Sequence, residues 1–242
     1  TIDYCVVKIP RFTFEKFPEA DSSLGVQMKS VGETMAIGRT FKEAFQKGIR
    51  GLEIGRYGFE ARKFQDMDVD AVLAALHDLR CDRAFLIRRA LECGVGVEQI
   101  NGITGIDRWF LNNMKDIVDF EMSIDAAVLS GPQEARTAFL KNAKQRGFSD
   151  FHLAQVLDTD ELTVRDARKT AGIRPTYKLV DTCAAEFEAY TPYYYSTYEE
   201  EDEGVPSERK KIMILGGGPN RIGQGIEFDY CCCQASFALA DL

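Results

Sequence analysis

The 242-residue sequence has no apolar run near the roughly 18–20 residues that a membrane-spanning helix needs. Its first residues also lack the basic and then apolar pattern of a secretory signal peptide. Lys and Arg number 30 against 38 Asp and Glu, which gives a net charge of −8. Binding to nucleic-acid phosphates depends on clustered positive charge. We therefore expect neither a membrane protein nor a general nucleic-acid binder.

Histidine and cysteine are not arranged as in a metal site or a disulfide framework. Only His77 and His152 are present, each within a helical pattern, and none of the seven cysteines forms a C-x-x-C pair. We predict reduced thiols, no metal site, and a cytoplasmic or organellar location. The consecutive cysteines at 231–233 are expected to pack in a core. A nucleophilic Cys183 is disfavoured because no histidine lies near it in the sequence.

The middle of the chain has the pattern of a helical domain. Apolar residues recur at helical spacing over residues 40–172, and strand signals are few. Thr40 with Glu43 forms a capping box, and Thr104 is expected to cap a long helix that carries Trp109. Three glycines stand where helices are expected to end: Gly94, Gly147 and Gly172. The prediction is a mainly α-helical central domain of about seven helices.

The two ends of the chain predict partial α/β pieces that flank the helical domain. Residues 3–9 and 27–39 have strand patterns. Residues 212–215 are predicted as a buried strand, followed by a glycine turn at 216–220 and a helix over 226–240. One buried strand cannot satisfy its own backbone hydrogen bonds. We therefore expect either pairing with the N-terminal segment or, as the favoured alternative, a piece of a longer protein.

The glycine loop that begins at Gly216 fits neither of two common phosphate-binding motifs. In the dinucleotide motif G-x-G-x-x-G, Arg221 occupies the place of the third glycine. In the P-loop, Gln224-Gly225 replaces Lys followed by Ser or Thr. We therefore exclude both kinds of nucleotide binding here. A tight structural turn and a ligand-contacting loop stay open alternatives, with Arg221 and Glu227 as the polar groups available to a ligand.

Two further segments have both structural and functional interpretations. Residues 149–171 predict two short helices joined by a turn, within a stretch that has net positive charge. A helix-turn-helix that binds DNA is one interpretation, but the acidic remainder of the chain disfavours it. The five acidic residues at 199–203 are interpreted as part of a solvated linker. The tyrosines at 190–198 are expected to pack on neighbouring domains.

Several sequence blocks, in order along the whole chain, resemble one enzyme family. They are KIPRF at 8–12, MKSVGE at 28–33, DRWFL at 107–111, VDTCAAEF at 180–187 and LGGGPNRIGQGIEFDY at 215–230. Together they resemble the large subunit of glutamine-dependent carbamoyl-phosphate synthetase. That enzyme makes carbamoyl phosphate from bicarbonate, glutamine-derived ammonia and ATP, for pyrimidine and arginine synthesis.

The resemblance implies a division of the chain. Residues 1–50 resemble the end of the first ATP-grasp half, which makes carboxyphosphate and carbamate. Residues 51–200 resemble a helical oligomerisation domain, and 201–210 an acidic linker. Residues 211–242 resemble the opening of the second half, which phosphorylates carbamate. The sites for ATP, Mg²⁺ or Mn²⁺ and K⁺ lie outside this piece in the family. We therefore expect a non-catalytic fragment without a cofactor of its own, with a free-standing helical interaction module as the alternative.

The resemblance also implies site residues and partners. In the family the glycine loop lies near the inner end of a tunnel for carbamate, and the candidates to line it are Asn220, Arg221, Gly223, Gly225 and Glu227. Those expected to face the first site are Lys29, Ser30 and Glu33. The implied partners are the rest of the large subunit, the glutaminase small subunit and a second copy bound through the helical domain. The face carrying Trp109 and Phe110 is the candidate for that contact, and burial in the monomer core is the alternative.

Overall fold

The computed structural model describes residues 3–183, 186–188, 193–216, 220–221 and 226–241. Eight α-helices occupy the stretch that was expected to be helical. They are α1 (Phe41–Gly51), α2 (Val69–Leu76), α3 (Arg83–Glu92), α4 (Val97–Thr104), α5 (Arg108–Met122), α6 (Gln133–Gln145), α7 (Asp150–Val156) and α8 (Glu161–Thr170). Short 3-10 turns lie at Phe14–Lys16, Arg62–Phe64 and Ala126–Ser130. The predicted mainly helical centre is confirmed.

The expected cap at Thr104 is wrong. Thr104 belongs to α4, the helix that the sequence analysis did not predict. Thr104 is the last residue of α4, where its hydroxyl donates to the carbonyl of Ile100 at 2.7 Å. The N-cap of α5 is instead Asp107, whose carboxylate accepts from the backbone N–H of Trp109 at 2.7 Å. Both Thr and Asp are good capping residues, so composition alone did not separate the end of one helix from the start of the next.

Helix α1 begins as its capping sequence predicts. The Thr40 hydroxyl accepts from the backbone N–H of Glu43 at 3.2 Å, and the Glu43 carboxylate accepts from the N–H of Arg39 at 2.8 Å. These two bonds satisfy donors that the first helical turn leaves without partners. The inward face of α1 carries Phe45 and Ile49, both buried. The cap therefore fixes the start of the helix that joins the N-terminal strands to the helical core.

A single apolar cluster holds the helical region together. It reaches from Phe45 on α1 to Val164 on α8 and includes Phe59, Leu86 and Leu153. Each fully buried side chain of this size contributes roughly 1.5–3 kcal/mol relative to its exposed state. The continuity of this cluster is the physical reason why short helices such as α4 and α7 persist, because isolated helices of that length are marginal in water.

Among the described residues, five strands form two small sheets, before and after the eight helices in the sequence. The strands are β1 (Cys5–Arg11), β2 (Gly32–Gly38), β3 (Thr176–Leu179), β4 (Tyr194–Thr197) and β5 (Asn220–Arg221). One antiparallel sheet has the order β1-β2-β5, and β3 pairs with β4 in the other. Strand β1 continues through Pro10, which is tolerated because β1 is an edge strand. The flanking strand pieces predicted from the sequence are thus present.

The expected buried strand at residues 212–215 is wrong. These residues pair with no described strand, and their apolar side chains are exposed; Met213 and Leu215 are each more than 80% accessible. A strand needs a neighbour to accept its hydrogen bonds, and no described segment lies beside this one.

Helix α9 (Ile226–Ala240) follows the glycine loop, as predicted. The expected burial of residues 231–233 is wrong, because Cys231 and Cys233 are exposed and Cys232 is half-buried. Tyr230 and Phe237 are also exposed. Burial of a side chain requires an element packed on it, and the described part of the chain places none over these positions. No helix among the described residues is long and apolar enough to cross a membrane.

The described parts of the tyrosine-rich and acidic segments contact residues in or next to β1, β2 and β3. Tyr195 is buried, and its ring lies 5.9 Å from that of Tyr4. In the acidic run, Glu199 pairs with Arg39 at 2.8 Å, and Glu201 and Glu203 each lie 3.4 Å from the ammonium of Lys178. The run is solvated, as predicted, but these ion pairs also attach it to the body of the protein.

Candidate functional site

The structure brings together residues from the two groups that the sequence singled out. Strand β5 pairs antiparallel with the start of β2, where Glu33 lies opposite Asn220 and Gly32 lies opposite Arg221. These residues are separated by nearly the whole helical region in the sequence. The pairing therefore brings together two segments for which the sequence analysis predicted sites in different halves of the large subunit.

Glu33 stands on the exposed side of this junction. Its carboxylate lies 2.9 Å from the ammonium of Lys8 on the neighbouring strand β1. Both side chains are substantially exposed, so this ion pair contributes at most about 1 kcal/mol to stability. The ion pair with Lys8 instead orients the Glu33 carboxylate on the strand that pairs with β5.

Lys29 fixes the loop that precedes β2. Its ammonium donates to the carboxylate of Asp21 at 2.9 Å and to the carbonyl of Ser23 at 2.6 Å. The hydrogen bond from Lys29 lowers the pKa of Asp21 to about 2. Lys29 and Asp21 line an open cavity of about 340 Å³, whose apolar wall includes Phe14 and Phe17. Ser30, the next residue, is half-buried.

The remaining predicted loop residues are described only in part. Gly223 and Gly225 lie outside the described residues. Asn220 and Arg221 are described as backbone in β5, and Glu227 as backbone in α9. Their assignment to a carbamate passage stays a prediction.

The aromatic face of α5 is exposed, so the alternative interpretation, burial in the monomer core, is wrong. Trp109 and Phe110 are 54% and 42% accessible. Both rings lie 5.4 Å from the ring of Phe41 in edge-on geometry. Three clustered aromatic rings supply a large apolar contact area. What covers this face stays a prediction.

Three cations in or just before the helix-turn-helix candidate are already engaged within the protein. Lys144 and Arg168 both contact Asp150 at 2.8 Å, and Arg146 lies 3.3 Å from Asp116. A phosphate backbone would have to compete with these carboxylates. The geometry therefore favours a structural role for residues 149–171.

Sequence reasoning missed a buried charged network between α3, α5 and α7. The guanidinium of Arg88, only 3% accessible, contacts the Glu121 carboxylate at 2.5 and 3.0 Å and that of Glu92 at 2.7 Å. His152, also buried, lies 3.2 Å from Glu121 through Nε2. Burial alone raises the pKa of Glu121, but the His152 hydrogen bond and the Arg88 charge outweigh it and hold that pKa below its usual range. The spacing of Arg88 and Glu92 indicated one pair, but nothing in the sequence indicated Glu121.

His152 serves as a structural hydrogen-bond donor in this network. Among the described residues, no group of three or more His, Cys, Asp or Glu side chains is placed to hold a metal ion. The network instead links three helices through charge-assisted hydrogen bonds.

Two family models match the chain in separate regions. The model of the carbamoyl-phosphate synthetase large chain oligomerisation domain matches residues 33–172, which is more than half of the chain. The model of the carbamoyl phosphate synthase preATP-grasp domain matches residues 208–242. Strand β5 lies within the second match, and its partner Glu33 lies at the start of the first.

Curated relatives match from end to end. The chain is 55% identical to the carbamoyl phosphate synthase large chain of Archaeoglobus fulgidus, covering 100% of this chain and 23% of that protein. Identity is 54% to the large chain of a Synechocystis species, with 100% and 22% covered. It is 50% to the arginine-specific, chloroplastic large chain of Arabidopsis thaliana, with 100% and 20% covered. The chain thus spans about a fifth to a quarter of these relatives' length, and it belongs to the carbamoyl-phosphate synthetase large chain family.

Proposed function

We propose that this chain is the central structural and oligomerisation segment of a carbamoyl-phosphate synthetase large chain. Its helical body joins the end of one ATP-grasp half to the beginning of the next. The observation that carries the proposal is similarity over the whole chain to large chains several times its length. The pairing of β2 with β5 supports the same arrangement, since it places the two flanking segments side by side.

The segment acts through shape and contact, and the rest of the large chain performs the chemistry. In that enzyme, ATP with Mg²⁺ or Mn²⁺ and K⁺ is bound by the two catalytic halves. The buried charges of this segment fit a structural role, because Arg88, Glu121 and Asp150 are all engaged in ion pairs that join helices. Its partners are the two halves, the glutaminase small subunit and a second copy of the helical domain. The location follows that of the enzyme, in the cytoplasm or in an organelle such as a plastid.

The β2–β5 junction is the proposed route past which carbamate travels between the two sites. Carbamate decomposes quickly in water, so a closed passage that excludes water would preserve it. Glu33 and Lys8 offer polar groups at this junction. Gly223 and Gly225 have no side chains to narrow such a passage, and Arg221 and Glu227 are the charged residues of the same sequence segment.

The structural role predicts a specific behaviour of the purified chain. We expect no ATP hydrolysis above background with bicarbonate and Mg²⁺, because the nucleotide site belongs to the two halves. We expect sedimentation velocity to show concentration-dependent self-association. ATP hydrolysis that survives repeated purification would contradict the non-catalytic role, and a monomer at every concentration would contradict the self-association.

The passage predicts a loss of coupling in a large chain that contains both halves. Gly225→Leu should raise the ATP consumed per carbamoyl phosphate formed, because carbamate that cannot advance decomposes. A matched control is Gly25→Leu, since no atom lies within 4 Å of the position of a Cβ at Gly25. The measurement pairs an ADP assay with a carbamoyl-phosphate assay, using glutamine and the small subunit. Unchanged coupling in Gly225→Leu would exclude this loop from the passage.

A further inference from the structure

A polar cavity of about 260 Å³ lies where α1, the start of α7 and the β3–β4 hairpin meet. It is distinct from the β2–β5 junction. Its walls carry three cations, Lys47, Arg50 and Lys144, and three carboxylates, Glu43, Asp150 and Glu161. The cavity has room for several water molecules, each of which occupies about 30 Å³ in the liquid.

Two of the three cations are satisfied by the protein itself. The ammonium of Lys47 lies 2.8 Å from Glu43 and donates to the carbonyl of Ile37 at 2.9 Å. The ammonium of Lys144 donates to Asp150 at 2.8 Å and to the carbonyl of Phe148 at 2.7 Å. These pairs leave neither Glu43 nor Asp150 free to serve the third cation.

Arg50 is the cation without a counterion. Its Nη1 donates to the carbonyl of Gly147 at 2.6 Å, and no carboxylate of the described residues lies within 4.0 Å of the guanidinium. Burial lowers the pKa of Arg50, and the charges of Glu43 and Asp150, both beyond ion-pair distance, offset this lowering only in part. A guanidinium has five N–H donors in a planar fork, and only Nη1 of Arg50 donates to a described residue.

The cavity also presents a hydroxyl and an excess of positive charge. The Tyr198 hydroxyl has no hydrogen-bond partner among the described residues, and burial raises its pKa. Arg168 adjoins the cavity, with its guanidinium 5.7 Å from the centre of the Tyr198 ring and paired to Asp150. The lining itself has three cations and three carboxylates. Because Glu161 is exposed to water, the three cations share only two shielded carboxylates, and Arg168 adds positive charge beside the cavity.

From this geometry we propose that the cavity binds a small oxyanion of the phosphate class. The guanidinium of Arg50 supplies a bidentate contact, and the Tyr198 hydroxyl donates a third hydrogen bond. Guanidinium groups match the oxygens of tetrahedral anions in this way, and such charge-assisted bonds are strong when partly shielded from water. A bound anion would link α1 to the residues that follow β4, and would thereby stabilise the contact between α1 and the β3–β4 hairpin. This site is independent of the proposed enzymatic role.

Inorganic phosphate is the probe that tests this site. The purified protein is unfolded by heat over a phosphate series, with ionic strength held constant by NaCl. Ligand that binds only the folded state raises the unfolding midpoint in a saturable manner, whereas general screening does not saturate. We expect a saturable rise for the wild type. Arg50→Met should weaken phosphate binding by about tenfold or more, and Tyr198→Phe by about threefold.

The matched control is Arg165→Met, because Arg165 is an exposed cation on α8 away from the cavity lining. It should retain the full phosphate effect. Tyr198→Phe removes only one oxygen, so it keeps the test decisive if Arg50→Met does not fold. The proposal fails if phosphate acts no differently from chloride at equal ionic strength. It also fails if the saturable effect persists in Tyr198→Phe and Arg50→Met, or is lost equally in Arg165→Met.

Discussion

Replacing Arg88 with methionine is expected to lower the free energy of unfolding by about 3–5 kcal/mol. The guanidinium is nearly inaccessible, and it contacts the carboxylates of Glu92 and Glu121 and the carbonyl of Phe59. Methionine fills similar volume but removes the charge. In this poorly solvated environment Glu121 then keeps His152 as its partner, and Glu92 keeps Arg89 at 3.6 Å. The penalty comes mostly from these carboxylates, which lose a buried partner, because a well-made buried pair contributes little net stability itself.

Urea unfolding monitored by circular dichroism measures this loss. The matched control is Arg108→Met, which removes an exposed arginine paired with Glu98 and should leave the free energy of unfolding nearly unchanged. The double variant Arg88→Met with Glu121→Gln should recover part of the loss, since it also removes one of the two carboxylate charges. Equal effects of Arg88→Met and Arg108→Met would show that the buried network has no special importance.

Gly147→Ala is expected to cost about 2–5 kcal/mol of unfolding free energy. Gly147 ends α6 with φ of +89°, a left-handed conformation that costs an L-residue about 1–2 kcal/mol. A Cβ there would also lie 2.9 Å from the Cα of Glu43 and 3.2 Å from the Cβ of Gln46. The α1 backbone is held by its cap and its core contacts, so it cannot easily move away. The clash adds to the conformational cost.

Gly172→Ala separates the two contributions. Gly172 ends α8 with φ of +74°, but no atom lies within 4 Å of the position of its Cβ. We expect this variant to lose only the conformational part, about 1–2 kcal/mol. Thermal or urea unfolding measures the loss of stability in each variant relative to the wild type. The difference between the two losses is the free-energy cost of the clash at Gly147. If the two variants lose the same stability, the close contact between Gly147 and α1 does not contribute to the requirement for glycine.

The contrast between these glycines shows how far sequence patterns reach. Both stand after an amphipathic run, and both were predicted from the sequence as helix ends. Gly147 must also lack a side chain because the backbone of α1 packs against it, and α1 lies about a hundred residues away in the sequence. The same limit applies to Thr104 and Asp107. Both residue types are good N-caps, and only the packing of α4 and α5 decides that Asp107 begins α5.

The candidate site shows a similar division. Motif similarity singled out Glu33 and the loop at 220–227 separately, but the sequence did not state that they meet. Their pairing closes a loop of nearly 190 residues, and this depends on how the helical core positions both ends. The buried strand predicted at 212–215 is wrong for a related reason. An apolar run forms a strand only where a neighbouring strand pairs with it, and the local sequence does not show whether such a neighbour exists.

The sequence by itself determined the helical class, the start of α1, the helix-ending glycines and the family, because each depends on local spacing or on residue identity. Only the tertiary structure decided the Arg88–Glu121–His152 network, the exposure of Trp109, the β2–β5 pairing and the unpaired charge of Arg50. Each of these depends on which groups become neighbours when distant segments pack. The energies of burial and charge pairing are therefore decided by the fold and are not readable from local pattern.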